Sequence, residues 1–354
     1  VSALFLMGYL LILLPMVLYT GSVFMKSMFG LNFSILTIAT VFAVAGLLYA
    51  AFGGLRAIAI SDTFNGVGLL VLGSTVTLFA LYAIDFDFSG IPAERLTLIG
   101  SDDSDIPWHS LLTGMVFIHL FYWGTNMVIA QRALAAKNVR EAQKGIYAAA
   151  AFKLVIPFIV VLPGIIAFKL YGHVGDVAYG KLVGDVLPSW LSGAFAAVIF
   201  GAVLSSYNSC LNSAAALYTC DFHEKYVNNK ADVKRIGQRV ALLFTIGSLL
   251  IVPMYEHSRS IVDTIQRLNG LYSMPVLAAF LAAILFTRIN ASAVKAGMLF
   301  GVLIYAVFTF VWSPLHYIHL MAITLASSML LMVVLDRLLK PQETSIATAT
   351  EPVL

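Results

Sequence analysis

Four serines and two asparagines crowd residues 205–213, inside the otherwise apolar stretch AVLSSYNSCLNSAAALYTCD at 202–221. On a helix, Ala202, Ser205, Ser209, Asn212 and Ala216 recur at spacings of three and four, so they share one face. This face has two interpretations. Small residues let two membrane helices approach closely while hydroxyls and amides bond between them. Alternatively, the oxygens of this face replace the water around Na⁺.

Polar side chains also interrupt several other apolar segments. Each has a structural explanation, such as a lysine that extends to the membrane surface, a buried histidine or a proline kink. Together they indicate helices with a polar interior and one broken helix at 262–286, as a solute pathway near the membrane midplane requires. These residues are Asp62; His119, Tyr122, Trp123, Asn126 and Gln131; Lys153; and Gln266, Arg267, Asn269, Gly270 and Pro275.

The sequence carries no strong enzyme signature, so we predict that the chain is not an enzyme. It has no glycine-rich phosphate loop, no paired-cysteine metal pattern and no His-Glu-x-x-His. His316 and His319 stand beside Trp312 and Tyr317, which favours an interfacial aromatic belt over a metal site. Cys210 and Cys220 are ten residues apart on one predicted helix, about 15 Å, too far for a disulfide.

The composition places the chain in a membrane. Of its 354 residues, 60% are hydrophobic and only 11% are charged, whereas soluble domains have about 25% charged residues. A spanning helix needs roughly 20 mostly apolar residues. We therefore predict an all-α integral membrane protein with ten spans, at about 1–25, 33–53, 63–84, 109–130, 146–170, 191–220, 238–254, 262–286, 295–312 and 317–335.

The distribution of Lys and Arg predicts the orientation, with the first span running from inside to outside. Five bases lie on the outer connections, and two, Lys153 and Arg267, fall inside spans, where charge is usually functional. The tail at 341–354 is then cytoplasmic, in a multi-pass protein of the inner (plasma) membrane. Fourteen of the 21 bases fall on the cytoplasmic side: Arg56, Arg132, Lys137, Arg140, Lys144, Lys225, Lys230, Lys234, Arg235, Arg239, Arg288, Lys295, Arg337 and Lys340.

This orientation explains the net charge of +3 through the lipid bilayer, so we expect neither a nucleic-acid partner nor an obligate protein partner. The first span lacks the basic flank and cleavage site of a secretory signal. Because the chain begins at Val1, already in apolar sequence, we expect that residues of a longer protein precede it.

Four blocks of the sequence resemble the solute:sodium symporter family, which includes sodium-glucose and sodium-galactose cotransporters. They are FGGLRAIAISDTFNG, FYWGTNMVIAQRALAAKNVREAQKG, LSSYNSCLNSAAALYTCD and DTIQRLNGLYSMP. The resemblance implies an inverted repeat of five plus five helices. The ten spans are similar to family helices three to twelve, so the first two core helices are expected to be absent.

The same resemblance implies roles for individual residues. The backbone carbonyl of Ala202 and the hydroxyls of Ser205 and Ser206 correspond to sodium ligands, and Asp62 to an acidic residue associated with cation coupling. Two departures concern the substrate: His119 stands where the galactose transporter has an amide, and Met127 where sugar transporters commonly have glutamine. The substrate side comprises Tyr122, which closes the site toward the cytoplasm, and the contact residues His119, Lys153 and Gln266.

The expected function is therefore Na⁺-driven symport that imports a small polar solute, a sugar or polyol, by alternating access. One alternative is a carboxylate or amino-acid substrate, with Lys153 or Arg267 pairing with the anion. A transporter-fold sensor and an intramembrane enzyme are further alternatives. The residues offer no coupled nucleophile and base for the enzyme, and 341–354 contains no signalling domain.

Overall fold

The computed structural model describes residues 1–97, 99–101, 104, 106–228, 232–258, 260–286 and 288–339, except for the side chains of 51–58. Within these ranges the chain is helical and has no strand. The predicted tail at 341–354, the bases Lys230, Arg259 and Lys340, and the side chain of Arg56 lie outside the described residues.

We number the helices longer than one turn α1 to α11. Helices α1, α7 and α10 each include a π-helical segment, at Tyr9–Leu13, Thr219–Val227 and Val307–Val311. The bounds are α1 Ser2–Phe29, α2 Ile35–Ala83, α3 Gly114–Gly124, α4 Met127–Leu134, α5 Val139–Tyr171, α6 Ala178–Val186, α7 Ser189–Val227, α8 Val233–Tyr255, α9 Ile261–Leu285, α10 Ala291–Val311 and α11 Tyr317–Leu339.

Eight helical segments in the described part of the chain are long and apolar enough to cross a membrane, among them Ala59–Ala83, the second half of α2. Two shorter apolar segments accompany them: Ile35–Ala50, the first half of α2, and Gly114–Gly124. These ten overlap the ten predicted spans. Helices suit this environment because all their backbone N–H and C=O groups bond within the segment. Local caps fix several starts: the Oδ1 of Asn138, for example, accepts from the N–H of Glu141 at 2.9 Å, so α5 begins seven residues before the predicted span.

Helix α2 makes its most extensive contacts with α7, and the two halves of α2 run in opposite directions along it. The ring of Phe42 stacks on Phe200 at 4.8 Å between centroids, and Gly68 packs against Val198. A straight helix would separate Phe42 from Gly68 by about 39 Å, yet Val198 and Phe200 are neighbours. The chain therefore turns back between the two halves, and it contacts α7 as two antiparallel spans would.

Two hydrophobic clusters hold the bundle together. The first joins α1, α3, α9, α10 and α11 around the buried rings of Tyr9, Phe121, Tyr272 and Tyr305. The second joins α1, α2, α7 and α8 around Phe42 and Tyr207. Both cysteines are free, Cys210 buried and Cys220 exposed.

Contacts at the two ends of the bundle pair helix ends that the predicted topology puts on the same side. The Ser2 hydroxyl at the start of α1 donates to Asp221 near the end of α7, and both lie on the predicted cytoplasmic side. The Thr113 hydroxyl bonds His319 at 2.8 Å, and both lie on the predicted outer side.

The broken helix is the fourth predicted span, not the eighth. Helix α3 ends at Gly124 and α4 begins at Met127, with Asn126 capping the new helix through a 3.0 Å bond from the Val128 N–H to its Oδ1. By contrast, α9 continues through Gly270 and Pro275. The reason is packing: a Cβ on Gly270 would lie 2.1 Å from the Tyr305 ring, so this glycine permits close approach of α10 rather than a break.

Candidate functional site

Asp62 joins α7 to the short helix α4. It contacts the side of α7 that carries Ala202, Ser205, Ser209, Asn212 and Ala216, which we call the serine face. The Ser205 hydroxyl donates to Asp62 Oδ1, and Arg132 Nη2 lies 2.5 Å from Asp62 Oδ2. The same Nη2 donates to the Ser209 hydroxyl at 2.6 Å, and that hydroxyl donates to the Ser205 carbonyl at 2.8 Å. These four residues form a closed ring, which we call the Asp62 ring.

The other predicted sodium ligands lie on the same turns of α7. Ala202 and Ser205 are half-buried, and Ser206 is exposed. Three residues at positions i, i+3 and i+4 present their polar atoms to one side of a helix. The structure brings the Ser205 hydroxyl into contact with the Asp62 carboxylate, and Ala202 and Ser206 lie within one turn of Ser205 on α7.

The cytoplasmic part of the serine face serves helix contact. Gln131 Nε2 donates to the Ser213 hydroxyl at 3.0 Å, and Asn212 Nδ2 donates to Gln131 Oε1 at 3.3 Å. These bonds tie α4 to α7. Buried polar groups need such partners because an unpaired group costs free energy.

Asn208 lies on α7 among the polar residues 205–213, but its side chain does not face Asp62. It is fully buried, and its amide has no hydrogen-bond partner in the described part of the chain. Its Oδ1 would lie 3.3 Å from a Cβ on Gly46 in the first half of α2, so it packs away from the Asp62 ring.

Lys153 and Asp62 line one cavity of about 670 Å³ between α2, α5 and α7. The Lys153 ammonium lies 5.2 Å from the centroid of the Trp123 ring, within range of a cation–π contact. His119 is exposed one turn before Trp123. Because α5 starts at Val139, Lys153 sits 14 residues into the helix rather than near its end.

Tyr122 contacts a different helix from Lys153. Its hydroxyl accepts a 2.7 Å hydrogen bond from Asn269 Nδ2 on α9, and the Tyr272 hydroxyl donates to Asn269 Oδ1 at 3.3 Å. Gln266 is half-buried one helical turn nearer to the start of α9, on the face that carries Asn269. Gln266 forms no hydrogen bond within the described ranges. The structure thus groups Tyr122 and Gln266 on α3 and α9, apart from the Lys153 cavity.

Sequence reasoning did not assign site roles to Arg132, Ser209 and Asn269. Arg132 counted as a cytoplasmic base of the orientation pattern, and Ser209 as a packing residue. The signal for the Arg132 pair was weak, because its partner Asp62 is 70 residues away. Asn269 was visible as a polar interruption of an apolar span, but its partner Tyr122 lies 147 residues away.

Arg267, the other charge predicted to lie inside a span, is paired within its own helix. Its Nε lies 2.8 Å from Asp263 Oδ2, one turn earlier on α9, and its guanidinium sits over the Tyr317 ring at 4.9 Å. At the outer ends, the rings of His109 and His319 stack at 4.9 Å. No cluster of three or more metal-ligating residues occurs among the described residues.

Comparison with known proteins gives the family. The family model described as the sodium:solute symporter family matches residues 1–301. The uncharacterised symporter YidK of Escherichia coli K12 is 34% identical, over 94% of this chain and 62% of the relative. A sodium/glucose cotransporter of Vibrio parahaemolyticus is 31% identical, over 82% of this chain and 60% of the relative. The chain thus spans about three fifths of the length of these curated relatives.

A solved structure shares the fold. The outward-open, substrate-bound state of a Na⁺-coupled sialic acid symporter superimposes with a TM-score of 0.78 at 16% identity, covering 95% of this chain and 73% of the other. This likeness confirms the predicted transporter fold.

The chain belongs to the sodium:solute symporter family. It is therefore a multi-pass protein of the inner membrane. The family is one of symporters and not of enzymes, which agrees with the prediction that the chain is not an enzyme.

Proposed function

We propose that this family member forms most of a sodium-coupled symporter that imports a small polar solute by alternating access. Residues 1–340 would form one transporter domain, with 341–354 as a cytoplasmic tail. The observation that carries the proposal is the contact of Ser205 with Asp62 at the edge of the cavity that Asp62 shares with Lys153. An ion and a solute bound there would be neighbours, as coupling requires.

The ion would bind at the serine face of α7. The Ala202 carbonyl and the hydroxyls of Ser205 and Ser206 offer three oxygens, and the Asp62 carboxylate lies beside them. In broken-helix transporters, unwound backbone carbonyls complete such a site for Na⁺. The relatives are longer than this chain, and we propose that the part of the transporter outside it supplies the remaining oxygens.

The solute would bind between α3, α5 and α9 in an access state in which α9 has moved toward the Lys153 cavity, since Gln266 does not line that cavity in this structure. His119, Lys153 and Gln266 provide donors and acceptors, and Trp123 provides an apolar ring face beside Lys153. Sugars and polyols need many hydrogen bonds together with an aromatic surface. Similarity to sodium/glucose and sodium/myo-inositol cotransporters supports a sugar or polyol.

Sodium would drive the cycle through its differential affinity for the two access states. One Na⁺ moving inward gains about 2.3 kcal/mol per 100 mV of membrane potential, in addition to its concentration gradient. Tyr122, held by Asn269, would close the solute path toward the cytoplasm until the helices rearrange.

A carboxylate solute is the second candidate, and one observation favours it. Lys153 forms no ion pair with a described carboxylate, so its charge is available to an anion. The Na⁺-coupled symporter with the same fold is one for sialic acid, an acidic sugar. Arg267 is the weaker anion partner, because it already pairs with Asp263.

The test is uptake by the full-length protein in proteoliposomes under an inward sodium gradient. A panel of labelled sugars, polyols and carboxylates is offered with sodium or with choline outside. We expect concentrative uptake of one class only with sodium. Equal uptake with choline would refute sodium coupling, and the class that accumulates would decide between the two substrate candidates.

A further inference from the structure

We propose that Arg132 is the resident cation of the sodium-free transporter: its guanidinium neutralises Asp62 when the ion has left, and Na⁺ must compete with it to bind. This inference rests on the proposed function, since it assigns a second task to the same site. It makes Arg132 a positioning residue that sets sodium affinity and release.

The guanidinium is held at three points. Nη2 lies 2.5 Å from Asp62 Oδ2 and 2.6 Å from the Ser209 hydroxyl, and Nη1 lies 2.5 Å from the carbonyl of Val128. Arginine suits this place because its donors form a rigid fork and its charge is permanent. These donors provide hydrogen bonds to the Asp62 carboxylate and the Ser209 hydroxyl, and the guanidinium balances the carboxylate's charge.

Asp62 connects Arg132 directly to the proposed ion site. Asp62 Oδ2 binds Arg132, while Asp62 Oδ1 accepts from the Ser205 hydroxyl. Ser209 links the other side, because its hydroxyl contacts both Arg132 and the Ser205 carbonyl. A shift of the guanidinium therefore alters both hydrogen bonds that orient Ser205, the one to Asp62 and the one from Ser209.

Charge makes the competition unavoidable. One carboxylate with one guanidinium is neutral, and a sodium ion at Ser205 would bring a second positive charge close to the first. Two cations that share a single anion repel, most strongly where water is partly excluded. Side chains of Arg132 and Asp62 are 33% and 24% exposed. Sodium binding and the Arg132–Asp62 pair therefore oppose each other, which is a negative coupling between two occupants of one site.

The position of Arg132 in the fold lets the guanidinium leave. It stands on α4, a helix of eight residues that is separated from α3 by the break at Thr125 and Asn126. Tyr122 lies on α3, just before this break. A displacement of α4 therefore moves Arg132 relative to α7 without disrupting a long helix.

The test is a sodium titration of the full-length protein with Arg132→Gln, which keeps donors but removes the charge. We expect the half-saturating sodium concentration for uptake to fall about tenfold, within the usual range of coupling between sites. Net uptake slows because release is impaired, while sodium-supported solute exchange is retained. Arg132→Lys keeps the charge but loses the fork of donors, so its half-saturating concentration should fall less than that of Arg132→Gln.

Two controls make the outcome decisive. Arg140→Gln removes an exposed base on the first turn of α5 and should leave the titration unchanged. Ser209→Ala removes one Arg132 contact and should lower the half-saturating concentration in the same direction, by a smaller factor. It serves in place of Arg132→Gln if that variant does not fold, with the sodium-dependent rise in melting temperature of the purified protein as readout.

The two hypotheses fail in different ways. An unchanged or higher half-saturating concentration in Arg132→Gln or Ser209→Ala, with a sodium-dependent parent, would overturn the role of Arg132. A parent whose uptake and melting temperature ignore sodium would overturn the proposed function itself.

Discussion

The amide of Asn269 donates a 2.7 Å hydrogen bond to the hydroxyl of Tyr122. Asn269 is 1% exposed, and its Oδ1 accepts from Tyr272, so its orientation is fixed from both ends. The bond ties α3, just before the helix break, to the continuous helix α9. If Tyr122 closes the solute path, Asn269 holds it closed.

Tyr122→Phe and Asn269→Ala should each speed solute release from inside-out vesicles. The lost hydrogen bond between the two residues is worth about 1 kcal/mol, or roughly fivefold. Asn269→Ala also removes the acceptor of the Tyr272 hydroxyl, so its effect should be at least as large as that of Tyr122→Phe. Because both variants break the Tyr122–Asn269 bond, the double variant should show little change beyond Asn269→Ala alone. Fully additive effects would mean that the two residues act separately. Tyr255→Phe, which loses a bond to the Leu11 carbonyl, is the matched control.

Ser205→Ala and Ser206→Ala should each raise the half-saturating sodium concentration. Loss of one oxygen that binds a cation costs about 1.5 kcal/mol, or roughly tenfold in affinity. Expression should remain near that of the parent, because alanine is a small residue that a half-buried and an exposed helix position both accommodate. Ser192→Ala, also on α7 but bonded to the Leu187 carbonyl, should leave the sodium titration unchanged. If Ser205→Ala did so too, the serine face would be a packing surface.

Lys153→Gln separates the two substrate candidates. With an anionic solute, the variant should lose most of its apparent affinity, since a hydrogen bond to a charged group is worth about 1.5–3 kcal/mol. With a sugar or polyol, glutamine still donates a hydrogen bond, and the loss should stay near fivefold. The measurement is competition of labelled uptake by each solute class. Lys144→Gln, an exposed position on the same helix, is the control.

A membrane-impermeant maleimide should label Cys220 and spare Cys210. Cys220 is exposed at the predicted cytoplasmic end of α7, whereas Cys210 is buried. Labelling should occur in inside-out vesicles and not in right-side-out ones. Cys220→Ser should abolish it, and Cys210→Ser should not. Labelling from the outside would reverse the orientation deduced from Lys and Arg.

Much of the site was visible in the sequence because it depends on spacing along one helix. Ala202, Ser205 and Ser209 share a face whatever surrounds them, and the structure turns that face toward Asp62. The helix break was also encoded locally, since Gly124, Thr125 and Asn126 combine a weak helix former with a good cap. Gly270 and Pro275 carried a more conspicuous signal for a break, and it was wrong because they serve the close packing of α10 on α9.

The sequence by itself determined the membrane class, the helical spans and the serine face, because hydropathy and helical period are local properties of the chain. Only the tertiary structure decided which polar groups meet. Arg132 reaches Asp62 across 70 residues, and Asn269 reaches Tyr122 across 147. Such pairs depend on how helices are placed against one another, and many placements bury the same apolar surface. Short-range polar contacts select among them, and no pattern in a single helix carries that information.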